Sequence, residues 1–215
     1  MEVRVLRQST QKPTAWSGGV TTQLGIWPGG CGYDKRNFGW RVSSARVEAG
    51  EARFTDLPGV ERQIMTLAGA MELTHDGGES VRLVPFTPHG FDGGALTVSR
   101  APEPVADFNL MTRGGCRGRI QAVGASVKTF LLRSEPGLHF QAFYVLCEEL
   151  RLSIARQNRA NYDITLHKGD FLQVAYELVA LTFHFREAIG LEEHGVAAAA
   201  ATISCKDFVF EACNT

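Results

Sequence analysis

The chain has 215 residues, of which 44% are hydrophobic and 21% charged, with a formal net charge of −1. That length buries a substantial core in one domain or two, and the near-zero charge lacks the basic surplus by which nucleic-acid binders attract phosphate backbones. No segment approaches the roughly 18 apolar residues of a membrane span, and the start Met1-Glu2-Val3-Arg4 is not leader-like, so a cytoplasmic protein without a membrane partner is expected.

In chain order, the first half offers predicted strands at Glu2–Arg7, Trp40–Val47, Arg62–Leu67, Met71–Thr74, Ser80–Leu83, Leu96–Arg100 and Asp107–Thr112. The second half offers Ile120–Val123, Lys128–Leu132, His139–Leu146, Leu150–Ile154, Ile164–Leu166, Phe171–Val174, Val179–Phe185 and Ala201–Phe210. Short alternating or apolar runs between Gly, Pro, Asn and Asp turns are the mark of an all-β chain. The hydrophobic spacing of Met65–Leu73 returns in Tyr144–Leu152, as though one antiparallel unit were used twice. The expectation is two antiparallel β-barrels packed as one compact chain, residues 1–114 and 115–215; closure removes the sheet edges that invite aggregation. The cysteines Cys31, Cys116, Cys147, Cys205 and Cys213 are odd in number and lack CxxC spacing, so reduced structural thiols are expected.

The strand Asp107-Phe108-Asn109-Leu110-Met111-Thr112-Arg113 alternates so strictly that Asp107, Asn109, Met111 and Arg113 share one face, a poor core and a plausible binding wall. Its other reading is an edge strand with a wet face. In Trp40–Val47, Arg41 and Ser43 share a face with Ala45 and Val47, which points Arg41 inward. An inward guanidinium needs an anionic partner, either Asp107 in a buried pair or a bound ligand. Arg62 opens a strand after the Pro58-Gly59 turn, and its planar fork suits a carboxylate. Asn109 offers donors and an acceptor to orient a ligand, with Met111 as an adaptable apolar contact. Trp16, beside Ser17-Gly18-Gly19, either walls a pocket or plugs a barrel, and Thr21 adds a hydroxyl.

Six histidines, His75, His89, His139, His167, His184 and His194, show no HxH pair and no two-His, one-carboxylate cluster within a strand, so no metal and no cofactor are expected. His89 reads as a loop residue and His75 as part of a hairpin turn. Nucleophile-elbow, phosphate-loop and dinucleotide motifs are missing. The enzyme readings that remain are a metal-free isomerase using Asp107 or Glu72, whose carboxyl burial alone can tune, and a metal-dependent oxygenase whose histidines converge from distant strands.

Five segments occur in family order: Trp16-Ser17-Gly18-Gly19-Val20-Thr21, Gly39–Ser43, Phe54–Arg62, Phe91-Asp92-Gly93 and Asp107–Arg113. In these the chain resembles the HutD/Ves family of bicupin proteins, and its second half resembles them in strand rhythm alone. The resemblance implies a bicupin of RmlC-like jelly rolls. It also implies a regulatory role in histidine utilisation through a small carboxylate metabolite of the urocanate or formylglutamate class, with no established reaction. One departure is Ser17, where the family's Trp-x-Asn-Gly-Gly turn would place Asn. The hydroxyl still turns a backbone but loses a donor and an acceptor. A homodimer is the default assembly expected.

Overall fold

The computed structural model describes residues 1–132, 137–156, 159–177 and 181–206. Every regular element there is a strand, apart from a single 3-10 turn at Gln8–Thr10. In chain order these are β1 (Glu2–Leu6), β2 (Pro13–Trp16), β3 (Gly19–Trp27), β4 (Trp40–Val47), β5 (Gly50–Arg53), β6 (Glu61–Ala68), β7 (Met71–His75), β8 (Ser80–Leu83), β9 (His89–Asp92), β10 (Thr97–Ala101) and β11 (Val105–Thr112). There follow β12 (Cys116–Gly124), β13 (Thr129–Leu132), β14 (Leu138–Val145), β15 (Glu149–Arg156), β16 (Arg159–His167), β17 (Phe171–Glu177), β18 (Leu181–Ile189) and β19 (Val196–Cys205). The predicted strand start at Val179 and end at Phe210, like Cys213, lie outside the described residues.

The chain divides into two compact units, one formed by Gln11–Gln121, the other by Met1–Thr10 with the described residues from Ala122. In the first, a six-stranded sheet, β2-β3-β4-β11-β6-β9, packs on a four-stranded sheet, β5-β10-β7-β8. Val47, Ile64 and Val105 from one sheet meet Met71, Leu73, Leu83 and Ala101 from the other. In the second, the orders are β1-β17-β14-β19-β12 and β13-β18-β15-β16. There Phe143, Leu172 and Val174 pack with Leu150, Leu152 and Phe183. The N-terminal strand thus joins the second unit, with Glu2 opposite Ala175 and Leu6 opposite Phe171.

The expected barrels are corrected in one respect: the sheets are open and form two-sheet sandwiches. The outermost strands β2, β5, β8, β9 and β13 have four residues each, too few to carry a ladder around to the opposite sheet. Short edges also leave little backbone open to foreign strands. The thiol expectation is corrected too, since Cys116 and Cys205 are disulfide-bonded, while Cys31 and Cys147 are free.

Candidate functional site

The six-stranded sheet places the candidate residues by register, because residues opposite one another on neighbouring strands share a face. Gly19, Val47 and Val105 form one row. Gly19, at φ 148°, allows the strands to close up, since a Cβ there would sit 2.0 Å from the Arg46 carbonyl oxygen. The next row inward is Thr21, Ala45, Asp107 and Thr66, and after it come Gln23, Ser43, Asn109, Ile64 and His89. The last is Ile26, Arg41, Met111, Arg62 and Phe91. All eight predicted residues therefore lie on one inner face, Trp16 in the first row opposite Gly19. Trp16 makes an edge contact to Phe54, ring centroids 6.3 Å apart. Arg113 does not share the face: β11 ends at Thr112, and Arg113 turns to the Arg36 carbonyl.

Arg62 is 6% exposed, and its guanidinium lies 5.0 Å from the ring centroids of both Phe54 and Phe91. Its Nε has no hydrogen-bond partner, and among the described residues no carboxylate pairs with it. Burial pulls its pKa down to about 10 against the pull of Tyr33 and Asp107, with the neighbouring Arg41 adding to the fall, so it remains a cation at neutral pH. Arg41 is held differently. It donates to Gln23 Oε1 at 3.0 Å and Ser43 Oγ at 3.1 Å and lies 4.3 Å from the Tyr33 ring centroid.

The expected Arg41–Asp107 ion pair is corrected, because the two stand two rows apart and no ion pair joins them. Asp107 is 3% exposed. Burial pushes its carboxyl up to about 7, against the pull of Arg62, the Ala45 amide and Arg41. Its Oδ1 has no partner, nor do Asn109 Oδ1, Thr66 Oγ1 and Trp16 Nε1. Buried polar atoms in folded proteins are nearly all partnered, and each one left bare costs about 1–3 kcal/mol. Here acceptors collect around Asp107, Asn109 and Thr66, whereas unmatched donors sit at Arg62 and Trp16.

Phe91 also touches a pair of histidines, with ring centroids 4.7 Å away for His75 and 5.9 Å for His89. The loop reading of His89 gives way to a strand position opposite Ile64. Sequence reasoning missed this pair, as it missed Gln23, Tyr33, Phe54 and Thr66. The only available signal was the inward parity of His89 with Phe91. A cleft of about 520 Å³ opens on the other side of the sheet, where Glu61, Gln63, Leu110 and Thr112 face away from the inner rows. Among the described residues no three His, Cys, Asp or Glu cluster to hold a metal. The inner face carries a carboxyl and imidazoles as well as guanidinium, amide and hydroxyl groups, but Asp107 stands on β11 and His89 on β9, with β6 between them.

Two open sheets around a polar, largely buried inner face define a cupin-type protein, and the structural neighbours agree on the fold. The chain is similar to HutD from Pseudomonas fluorescens SBW25, solved in a formate condition (TM-score 0.68, 22% identity, covering 95% of this chain and 100% of that one). It is similar also to a conserved protein of unknown function from Pseudomonas aeruginosa PAO1 (0.71, 23%, 95% and 98%). Bacillus subtilis oxalate decarboxylase shares the fold at 10% identity (TM-score 0.56, 94% and 77%). No curated protein matches the sequence. The HutD family model matches residues 8–189, and the chain belongs to that family.

Proposed function

We propose that the Gln11–Gln121 unit binds a small carboxylate metabolite without transforming it. The observation that carries this reading is Arg62, a buried cation against two rings with a bare Nε and, among the described residues, no carboxylate in ion-pair contact. Burying an unpaired charge is costly, and a ligand carboxylate offsets that cost. Arg41 and Arg62 leave strands separated only by β11, roughly 10 Å apart, so both side chains reach one carboxylate over Met111. Asn109, Ser43 and Thr21 orient the rest of the molecule. Trp16 covers its apolar part, and the bare acceptors near Asp107 favour a ligand with N–H groups.

Urocanate and formylglutamate meet this description, and a cytoplasmic sensor or buffer in histidine utilisation is the role it supports. The two similar sandwiches support a bicupin reading of the whole chain. A second reading has its own observation: a fully buried carboxyl with a pKa near 7 is poised as a general base, so Asp107 fits a metal-free isomerase. The test is a thermal-shift and calorimetric screen with urocanate, formylglutamate and formate. Stabilisation by an acid that is recovered unchanged, and that is lost in Arg62→Ala, supports binding. An acid consumed during incubation supports the isomerase, and stabilisation that survives Arg62→Ala removes Arg62 from the site.

A further inference from the structure

His75 on β7 and His89 on β9 approach with Nε2 atoms 3.0 Å apart. Their planes differ by 18° with centroids 5.2 Å apart, so the rings meet edge to edge with nitrogen facing nitrogen. Thr97 sets the direction of the hydrogens. Its hydroxyl donates to the Ala95 carbonyl at 3.1 Å, so it accepts from His75 Nδ1–H at 2.9 Å. Neutral His75 then carries its lone pair on Nε2 and receives the Nε2–H of His89. A metal ion needs about 2.0–2.1 Å to each nitrogen, and two lone pairs aimed head-on at this separation leave room for a proton instead.

The first added proton goes to His89 Nδ1, which has no partner among the described residues, and it makes the Nε2–H···N bond charge-assisted. A second proton places two N–H groups head to head and breaks that bond, so the rings titrate as a coupled pair. The charged groups facing the pair are Arg62 on β6 and Asp76 next to His75. From β10 the uncharged Thr97, Ser99 and Ala101 point inward, and Arg53 on the adjoining β5 is engaged by Asp56. On β9, Asp92 accepts from the Gly94 amide, while Asp107 stands on β11, beyond β6. Burial lowers both histidine pKa values, and for His75 the Arg62 charge lowers it further. Phe91 touches both, its ring centroid 5.0 Å from the Arg62 guanidinium and 4.7 Å from the His75 ring.

We propose that His75 and His89 act as a one-proton receiver coupled to Arg62, so that an anion enters this site together with a proton. This rests on Arg62 as the anion-binding group. With Arg62 unmatched, its charge repels a proton on the pair; with a carboxylate in place, that repulsion is cancelled. At about 10 Å and an effective dielectric of about 20–80 the effect amounts to about 0.3–1 pH unit, a two- to tenfold change in either affinity. By reciprocity, affinity for the anion tightens up to about tenfold as pH falls through the pair's first step.

The experiment is an imidazole NMR titration of the full-length protein from pH 4.5 to 8, with and without formate as the probe. The expected result is one shared first step that formate moves upward. Reading the rings directly separates this uptake from any proton taken by Asp107. Arg62→Gln without formate provides a ligand-free arm, in which the step also moves upward because the repelling charge is gone. Two independent imidazole titrations overturn the proposal, as does a step that neither formate nor Arg62→Gln moves. Formate that fails to bind while the Arg62→Gln step still rises contradicts the binding function and leaves the receiver standing.

Discussion

Asp170 in the second unit and Asp107 in the first are equally buried, at 3% exposure, yet their carboxyls move in opposite directions. Burial pushes both up. Around Asp170 that push is outweighed by the amides of His167 and Gln8 and by the Arg7 guanidinium, at 3.0, 2.9 and 2.6 Å, which hold it below the usual range. Asp107 has one amide donor, that of Ala45, and two guanidiniums that pull on it without bonding to it, and it rises to about 7. The contrast extends to the rest of the two units. Beside the apolar core of the second unit, Gln141 and Thr202 bond to one another at 2.7 Å; among the described residues Ser153 Oγ and Glu149 Oε1 there lack a hydrogen bond, and Glu149 Oε1 is ion-paired with Arg151 at 2.7 Å. Equal burial therefore says little about a polar group, and its partners say whether it serves the fold or awaits something else.

The largest effect that sharpens this comparison is expected from Phe143→Ala. It removes a fully buried ring packed against Phe183 and Phe185 and costs about 3–5 kcal/mol in urea unfolding, while folded protein keeps its response to ligand. Asp107→Asn comes next and acts in the opposite direction. Because the folded pKa of Asp107 is raised, the native state holds the extra proton between about pH 4 and 7, and stability falls across that window as pH rises. The asparagine variant is therefore more stable than wild type at pH 8 by about 2–4 kcal/mol, with the gain gone at pH 4. Wild-type stability that stays flat across this window breaks the comparison.

Asp170→Asn should instead cost about 1–3 kcal/mol at pH 7. With its folded pKa depressed, the contribution of Asp170 is present above the ordinary carboxylate pKa and is lost as pH falls through the folded value. Unfolding at pH 7 and pH 2.5 reads both statements. The smallest effect on stability belongs to Arg62→Met, within about 1 kcal/mol of wild type, since an apolar chain of similar length replaces an unpaired buried charge. A cost of several kcal/mol there makes Arg62 a structural residue and breaks the comparison at its centre.

Much of the inner face was legible in the sequence. Trp40–Val47 is a strand at the predicted bounds, and the alternation at Asp107 sets the face of β11, because both strands are long and regular. The misses have physical causes. β3 was hidden by a bulge between Gln23 and Gly25, which shifts the alternation by one and took Gln23 with it. β9 has four residues, one of them glycine, too few for a period to show. Pairings such as β1 with β17, or His75 with His89, join residues from separate strands, and nothing local encodes them. Arg113, expected on the same face as Asp107, leaves it because the strand ends one position earlier.

The bare atoms of Asp107, Asn109, Thr66 and Arg62 also bear on how the chain can be altered. Selection for heat resistance alone favours substitutions that fill a bare polar cavity with hydrocarbon, and this face is where such gains are cheapest. Thermostable descendants of this protein should therefore turn oily along these rows first, and under the proposed binding function the positions that resist that drift would trace the outline of the ligand.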